Sequence, residues 1–233
     1  MKKAWALAPC LSLVMFSHVA IAKTKLKTVT QKASYSIGVN IGQNFRMQDA
    51  QVDVDILVEG LKDGLKGSDT KLKPAEMREA LQAFGAEVKK KLAAKREADS
   101  KKNKEAGKKF LTKNKKASGV KTLPSGLQYK VVKQGKGPKP KATDTVVTHY
   151  RGTLIDGSEF DSSHSRGQPA SFPVNGVIKG WTEALQLMPK GSKWQLFIPP
   201  ELAYGERGSG PKIGPFATLI FDIELIDIKN DKK

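Results

Sequence analysis

Residues 150–163 read YRGTLIDGSEFDSS, and this stretch decides the fold of the C-terminal half of the chain. It predicts a β-hairpin, because Asp156-Gly157 is a strong turn signal and Gly157 supplies the positive φ that such a turn requires. Asp161 directly follows the aromatic Phe160. The aspartate is therefore either a turn residue that holds its own backbone or a carboxylate placed beside an apolar pocket.

The segments around this hairpin predict a mostly antiparallel sheet. Alternating or apolar runs favour strands at residues 127–133, 145–154, 193–198 and 217–228, of which the last alternates most regularly. A short helix is expected within residues 177–187, between the second and third of these strands. One helix crossing such a sheet is an α+β arrangement.

A long helix is predicted ahead of this region. No proline occurs between Pro74 and Lys116, Pro74 suits a first helical turn, and the composition is rich in Ala, Lys, Glu, Arg and Gln. One apolar stripe runs along its first half, but between Ala93 and Lys109 every face is polar or small. A helix that is polar all round usually bridges domains, so we expect a free-standing helix that connects two parts of the chain.

Basic residues are concentrated in this helix. Residues 71–121 contain 17 basic and six acidic side chains, and the whole chain has a formal net charge of +18. The lysines, which include Lys89-Lys90-Lys91, belong either to a solvated spacer or to a surface that contacts polyanions, host matrix or a membrane surface. Aromatic residues for base stacking are not interleaved with them, so a nucleic-acid partner is not expected.

Residues 30–67 predict two short helices, each with an apolar face. Asp53 or Gln51 is expected to cap the second of them. Fewer than 50 residues are too few for an independent core. Residues 23–73 are therefore predicted to form an all-α module through which two chains dimerise.

The first 22 residues have the pattern of a cleaved secretory signal, with a basic start, an apolar run and an Ala-Ile-Ala cleavage site. Cys10 lies within this segment, so the exported chain is expected to have no cysteine and no disulfide. Only His149 and His164 follow the segment, without paired ligand spacing, and no metal site is expected. The predicted organisation is a signal peptide at 1–22, a helical dimerisation module at 23–73, a connecting helix at 74–117 and a C-terminal domain at 118–233.

Five dispersed blocks in the C-terminal half resemble the FKBP-type peptidyl-prolyl isomerases. The blocks are VTHYRG at 147–152, GSEFDSS at 157–163, VIKGW at 177–181, LAYG at 202–205 and LIFD at 219–222. In the N-terminal part, two further segments are similar to the dimerisation module of bacterial periplasmic members, YSIGVNIG at 35–42 and LVEGLKD at 57–63. With the long helix between them, the chain resembles the macrophage infectivity potentiator proteins of Gram-negative intracellular pathogens.

The resemblance implies an antiparallel half-barrel of five or six strands around one short helix, with an apolar pocket that accepts a prolyl ring. Its tryptophan would form the floor, and one backbone N–H and one tyrosine hydroxyl, those of Ile178 and Tyr204, would bind carbonyl groups of a substrate or of a macrolide inhibitor. Carried over position by position, the catalytic residues would be Asp161, Tyr204, Tyr150 and Phe221. The substrate-binding residues would be Phe160, Arg166, Val177, Ile178, Trp181 and Ile213.

Three positions depart from the family pattern. Ala170 replaces an aromatic residue that many members have just before the next strand. Ser209 and Lys212 stand where histidine and isoleucine are often found. The pocket rim is therefore expected to be more open and more polar, which bears on inhibitor affinity and peptide preference.

Rotation about an Xaa-Pro bond makes and breaks no covalent bond, so the implied activity requires no nucleophile, metal or cofactor. Asp161 is then expected to be an ionised anchor that accepts hydrogen bonds from Tyr150 and Arg166. The expected substrates are unfolded or surface-exposed Xaa-Pro segments of exported proteins. The expected location is the periplasm, the outer membrane or the cell surface of a Gram-negative bacterium. Chaperone activity and a virulence role are further expectations. The alternative is an adhesion or polyanion-binding protein that keeps the fold only as a scaffold.

Overall fold

The computed structural model describes residues 25–67 and 69–229 of the chain. The signal-peptide prediction for residues 1–22 falls outside the described residues. The chain consists of two units, with the boundary between Asn44 and Phe45. Among the helices that the structure describes, none is long and apolar enough to span a membrane.

Two helices occupy the predicted positions in the N-terminal part, α1 at Val29–Met47 and α2 at Val54–Lys66. Asp53, and not Gln51, caps α2, because its Oδ1 accepts hydrogen bonds from the second and third N–H groups beyond it at 3.0 and 3.1 Å. Most large apolar side chains of both helices are exposed. They are Val29, Tyr35, Ile37, Val39, Ile41 and Met47 in α1, and Val54, Ile56, Leu57, Val58, Leu61 and Leu65 in α2.

The long helix α3 spans Pro74–Asn114, which is 41 residues. Its start follows from the local sequence, since Pro74 occupies the first helical position and the Glu76 carboxylate accepts the Lys73 N–H at 2.7 Å. At 1.5 Å per residue the helix is about 60 Å long. The prediction of one helix beginning at Pro74 is confirmed.

The C-terminal half of α3 lies against the C-terminal domain. The Asn103 amide donates to the Pro215 carbonyl at 2.8 Å, and the rings of Phe110 and Phe197 are 5.9 Å apart. The expectation of a free-standing helix is therefore corrected for residues 96–114. Between residues 96 and 103 polar side chains bond backbone carbonyl groups of the domain, so this part of the contact leaves no apolar stripe in the sequence.

One antiparallel sheet of seven strands forms the C-terminal domain, in the order β1-β2-β6-β7-β3-β4, with β5 paired to β3. The strands are β1 (Val120–Thr122), β2 (Gln128–Lys133), β3 (Thr145–Leu154), β4 (Glu159–Ser162), β5 (Ala170–Pro173), β6 (Lys193–Ile198) and β7 (Leu219–Lys229). β3 pairs with β7 along its whole length, and its other edge pairs with β4 and β5. Side chains of β3 therefore lie next to residues from three other strands.

All four predicted strands are present within two residues of their predicted bounds, and the predicted hairpin joins β3 to β4. Gly157 has the positive φ, +88°, that its turn requires. The sheet has seven strands where the resemblance implied five or six. β1 and β5 were not predicted, because three or four residues are too short to show an alternation.

The short helix α4 (Lys179–Leu185) packs against the sheet and completes the core. Gly180 permits this close approach, since a Cβ there would lie 2.6 Å from Cγ2 of Ile198 in β6. Three-residue helical turns at His164–Arg166, Val174–Gly176 and Pro200–Leu202 connect the strands and α4. The α+β fold class is confirmed, with a helix crossing an antiparallel sheet.

Candidate active site

A cavity of about 670 Å³ opens between the sheet and the start of α4. Strands β3, β4, β5 and β7 supply one part of its wall, and the backbone leading into α4 supplies a second. The loop of residues 205–216, which we call the rim loop, supplies a third. The lining residues are Tyr150, Phe160, Asp161, Phe172, Gly176, Val177, Ile178, Trp181, Tyr204, Ser209, Gly210, Pro211, Lys212, Ile213 and Phe221.

Aromatic rings form the floor and the walls of the cavity. The centroid of the Trp181 ring lies 5.3 Å from that of Tyr150 and 5.1 Å from that of Phe221, with interplanar angles of 85° and 82°. Phe160 meets Phe221 edge-on at 5.4 Å. Such edge-to-face contacts hold each ring against its neighbours. Trp181 is only 4% exposed, so it forms the floor.

Gly152 in β3 allows the rings of Phe160 and Phe221 to meet. It lies opposite Asp161 of β4 on one side and opposite Phe221 of β7 on the other. A Cβ at this position would lie 2.5 Å from Cε2 of Phe160 and 2.8 Å from Cε1 of Phe221. Any side chain at position 152 would therefore displace both rings.

Three polar side chains bond one another at one wall. The Tyr150 hydroxyl donates to Oδ2 of Asp161 at 2.5 Å. Arg166 donates from Nη1 to Oδ1 of Asp161 and from Nη2 to the Tyr150 oxygen, both at 2.6 Å. The Ser162 N–H adds a bond to Oδ1 of Asp161 at 2.8 Å. The carboxylate thus accepts three hydrogen bonds and is fixed in orientation.

The charge states in this network follow from its contacts. Burial by itself would raise the pKa of Asp161, but the hydrogen bonds from Tyr150 and Arg166, with the charge of Arg166, hold that pKa below its ordinary value. Burial and the bond to Asp161 raise the pKa of Tyr150. Tyr150 therefore stays a protonated donor, and Asp161 an ionised acceptor, across the neutral pH range.

Two residues of the cavity lining, Tyr204 and Ile178, each have a hydrogen-bond donor without a partner in the described part of the chain. Tyr204 is 39% exposed, and burial, followed by the charge of Asp161, raises the pKa of its phenol. The backbone N–H of Ile178 lies at the N-cap of α4 and donates to none of the described residues. The carbonyl-binding role implied for these two donors stays a prediction.

The rim loop brings polar groups to the mouth of the cavity. Ser209 and Lys212 both line it, and Nζ of Lys212 donates to the Phe160 carbonyl at 3.2 Å. This agrees with the expectation of a more polar rim.

An aromatic side chain that the sequence analysis did not single out also lines the cavity. Phe172, two residues further along β5, contacts the rings of Tyr150 and Trp181 with centroid distances of 5.7 and 5.8 Å. The cavity therefore has an aromatic side chain at position 172, and the more open rim expected from Ala170 stays a prediction.

Nine of the ten sequence-predicted residues line the cavity, and Arg166 lies behind Asp161. Sequence reasoning missed Phe172 and Gly152. Phe172 lies in β5, whose four residues are too few to show an alternation in the sequence. Gly152 left no local signal either, since the two rings next to it, Phe160 and Phe221, belong to other strands.

Comparisons with known proteins agree with this geometry. The family model of FKBP-type peptidyl-prolyl cis-trans isomerase matches residues 137–226, and that of the domain amino terminal to FKBP-type peptidyl-prolyl isomerase matches residues 30–131. The outer membrane protein MIP of Legionella longbeachae is 45% identical over 230 residues, which cover 98% of this chain and 99% of that protein. The chain belongs to the FKBP-type peptidyl-prolyl cis-trans isomerases.

Two further relatives resemble this FKBP-type isomerase over most of its length. The peptidyl-prolyl cis-trans isomerase Mip of Coxiella burnetii is 45% identical over 222 residues, covering 95% of this chain and 96% of that protein. The crystal structure of FkpA from Escherichia coli matches with a TM-score of 0.64 and 45% identity, covering 88% of this chain and 99% of that chain. The family resemblance and the isomerase class predicted from the sequence are confirmed.

Proposed function

We propose that this FKBP-type isomerase accelerates rotation about Xaa-Pro bonds in exported or surface polypeptides, and that the cavity floored by Trp181 is its active site. One observation carries the proposal: Tyr150 contacts the ring of Trp181 and also donates to Asp161, so an apolar floor and an ionised wall belong to one rigid unit. The roles given to the sequence-predicted residues are part of this proposal.

The apolar walls would lower the rotation barrier by binding the twisted amide. Rotation costs about 18–20 kcal/mol because it breaks the C–N resonance. A catalyst must therefore bind the twisted amide more tightly than either planar form. The twisted amide is less delocalised and less polar, so rings such as Phe160, Trp181 and Phe221 favour it, whereas water favours the planar dipole.

The polar groups would orient the peptide around the turning bond. The Tyr204 hydroxyl and the Ile178 N–H would hold carbonyl groups that flank the proline, which keeps the chain in a turn-like geometry. Asp161 would act as a fixed negative charge beside the amide. Because its pKa lies below the ordinary value, it is ionised at neutral pH and transfers no proton.

The N-terminal helices are proposed to join two chains into a homodimer through residues 23–73. Tyr35 in α1 is 63% exposed, and Leu61 in α2 is 61% exposed. Apolar faces of this kind are unusual on monomers and mark protein–protein contacts. A dimer would present two catalytic domains to one unfolded client, which supports the proposal of chaperone activity.

Export to the periplasm, outer membrane or cell surface is proposed from the signal pattern in residues 1–22. The name of the Legionella longbeachae relative, an outer membrane protein, supports this location. A virulence role, and contact with host matrix or polyanions through exposed lysines of α3 such as Lys89, Lys90 and Lys91, also remain proposals. Macrolide inhibitors of the FKBP class are proposed to occupy the same cavity.

The proposal is tested by cis-to-trans relaxation of a short Ala-Leu-Pro-Phe-type peptide at micromolar protein. We expect relaxation faster than the uncatalysed rate, and a macrolide of the FKBP class should abolish the acceleration. Inhibition by the macrolide would show that the acceleration does not come from a contaminating isomerase of another family. An uncatalysed rate with correctly folded protein would instead favour the scaffold function, in which the lysine-rich helix binds polyanions.

A further inference from the structure

We propose that α3 is a positioning element of the active site, because its C-terminal half holds the rim loop from behind. The inference rests on the proposed active site, whose rim this loop forms. Three helix residues make the contacts: Arg96, Asn103 and Lys104. They lie outside the pocket and would act through the loop.

The rim loop is rich in glycine and is held internally by a few backbone hydrogen bonds. Four of its twelve residues are glycine, and glycine has the largest backbone freedom of any residue. Within the loop, Ser209 and Ile213 exchange two backbone hydrogen bonds at 2.8 and 3.2 Å. Its two ends meet where the Phe216 N–H donates to the Gly205 carbonyl at 2.8 Å. Tyr204 directly precedes this junction, so the junction sets the position of both the tyrosine and the rim.

The junction includes a strained residue. Phe216 has a φ of +54°, a conformation that bulky residues rarely adopt. Such a residue persists only where its surroundings determine the conformation. α3 supplies these surroundings on the outer side of the loop.

The contacts from α3 fall on both sides of the junction. The Asn103 amide donates to the Pro215 carbonyl at 2.8 Å, and Nζ of Lys104 lies 3.8 Å from the centroid of the Phe216 ring. Nη2 of Arg96 donates to the carbonyl groups of Glu206 and Arg207 at 3.1 and 3.0 Å. The helix thus contacts both halves of the rim loop, the half that follows Tyr204 and the half that leads into β7.

Gly107 sets how closely the helix approaches. It is the one buried residue of α3, and a Cβ there would collide with Oγ1 of Thr218, which is 2% exposed. Thr218 lies two residues beyond the rim loop. The close approach at Gly107 therefore places Asn103 and Lys104, one turn earlier on the helix, within reach of the loop.

The consequence is that the geometry of the pocket rim depends on a helix more than 100 residues earlier in the chain. Loss of a helix contact would release the glycine-rich loop, and with it Ile213 and Lys212 on the cavity wall. Because Asp161 and Trp181 are held by other elements, the expected effect falls mainly on peptide binding at the rim.

The test uses the full chain with Asn103→Ala, Lys104→Ala and the conservative Lys104→Arg, and with Lys101→Ala as a matched control on an exposed face of the same helix. We measure kcat and KM for the proline peptide and hydrogen exchange of the amides of residues 205–216. For Asn103→Ala and Lys104→Ala we expect KM to rise about 3- to 10-fold with kcat within twofold, and the loop amides to exchange faster. Lys104→Arg should keep the wild-type KM, because it keeps a cation over the ring.

Unchanged KM and unchanged loop exchange in both alanine variants, with wild-type turnover present, would overturn the inference. A wild-type chain that does not turn the peptide over would refute the proposed function instead. If Asn103→Ala does not fold, Lys104→Ala decides the question, because Lys104 is exposed and its ring contact is at the surface.

Discussion

The Tyr150 hydroxyl and Oδ2 of Asp161 are 2.5 Å apart, and Arg166 bonds both side chains. No member of this triangle can move without breaking two contacts. The tyrosine is also packed edge-on against Trp181, so the polar wall is coupled to the apolar floor. Mutations of Asp161 can distinguish the effect of its charge on activity from the effect of its shape.

Asp161→Asn should fold normally and lose most of its activity. The amide has nearly the same shape as the carboxylate and still accepts a bond from Tyr150, but it has no negative charge. Asp161→Ala should lose activity and also loosen Tyr150, because the acceptor is gone. The measurements are kcat/KM for the proline peptide and the near-ultraviolet circular dichroism of the aromatic cluster. Full turnover by the Asn variant would reduce Asp161 to a structural role.

The depressed pKa of Asp161 predicts a change in stability at acid pH. Since the folded state holds this pKa below the ordinary value of about 3.9, the contribution is present above that value and is lost as the pH falls through the folded pKa. The difference in Tm between wild type and Asp161→Asn should therefore be constant from pH 5 to 8 and shrink below about pH 4. A difference that instead shrinks between pH 6 and 8 would point to another titrating group.

Gly152→Ala should damage the pocket more than the fold. The new methyl group would collide with the rings of Phe160 and Phe221, which must then leave their edge-to-face contact. We expect a loss of activity of at least tenfold and destabilisation of about 1–3 kcal/mol. Arg151→Ala on the same strand is the control, because it removes only an exposed ion pair with Glu159. Equal activity of the two variants would contradict the packing argument.

Substitution of two glycines of α3 by alanine should change the free energy of unfolding in opposite directions. Gly85→Ala should stabilise the chain by about 0.5–1 kcal/mol, because no atom lies within 4 Å of the new Cβ and alanine is the better helix former. Gly107→Ala gains the same helix propensity but meets the buried Thr218 hydroxyl, so it should destabilise.

Urea unfolding of Gly107→Ala, Thr218→Ala and the double variant tests the origin of this loss. In the Gly107→Ala background, removal of the Thr218 hydroxyl should recover part of the lost stability, so the double-mutant cycle should show coupling between the two positions. Additive effects would mean that the helix does not approach the domain at Gly107.

Removal of residues 23–73 should abolish dimerisation and leave peptide turnover nearly intact, since none of the residues that the structure describes in this segment, 25–67 and 69–73, lines the cavity. Sedimentation velocity and the relaxation assay measure the two properties separately. Leu61→Asp in the full chain is a milder test, because it places a charge on the exposed apolar face of α2. A truncated chain that still sediments as a dimer would show that the interface lies elsewhere.

Local patterns predicted most of the elements that build the site. The Asp156-Gly157 turn, the alternation of β7 and the proline that begins α3 each leave a signal within a few residues of sequence. The family blocks then brought together side chains from β3, β4, α4 and β7, which no local pattern could do.

Contacts between distant segments could not be predicted in the same way. The face of α3 that meets the rim loop consists of Arg96, Asn103, Lys104 and Gly107, which a periodicity argument reads as solvated. Arg96 and Asn103 bond backbone carbonyl groups, which have no side-chain signature. Lys104 and Gly107 meet the side chains of Phe216 and Thr218, which lie far away in the sequence. Phe172 was missed for a milder reason, because β5 is only four residues long.

The two tryptophans of the C-terminal domain have different surroundings, so their fluorescence responds to different changes. Trp181 forms the floor of the cavity, whereas Trp194 in β6 is stacked on Tyr129 of β2 at 4.4 Å, and both are 4% exposed. The third tryptophan, Trp5, lies in the predicted signal peptide, outside the described residues. In an exported chain, the fluorescence of a Trp194→Phe variant would come from the cavity floor alone. Quenching or a spectral shift on ligand addition would then follow occupancy of the pocket without any attached label.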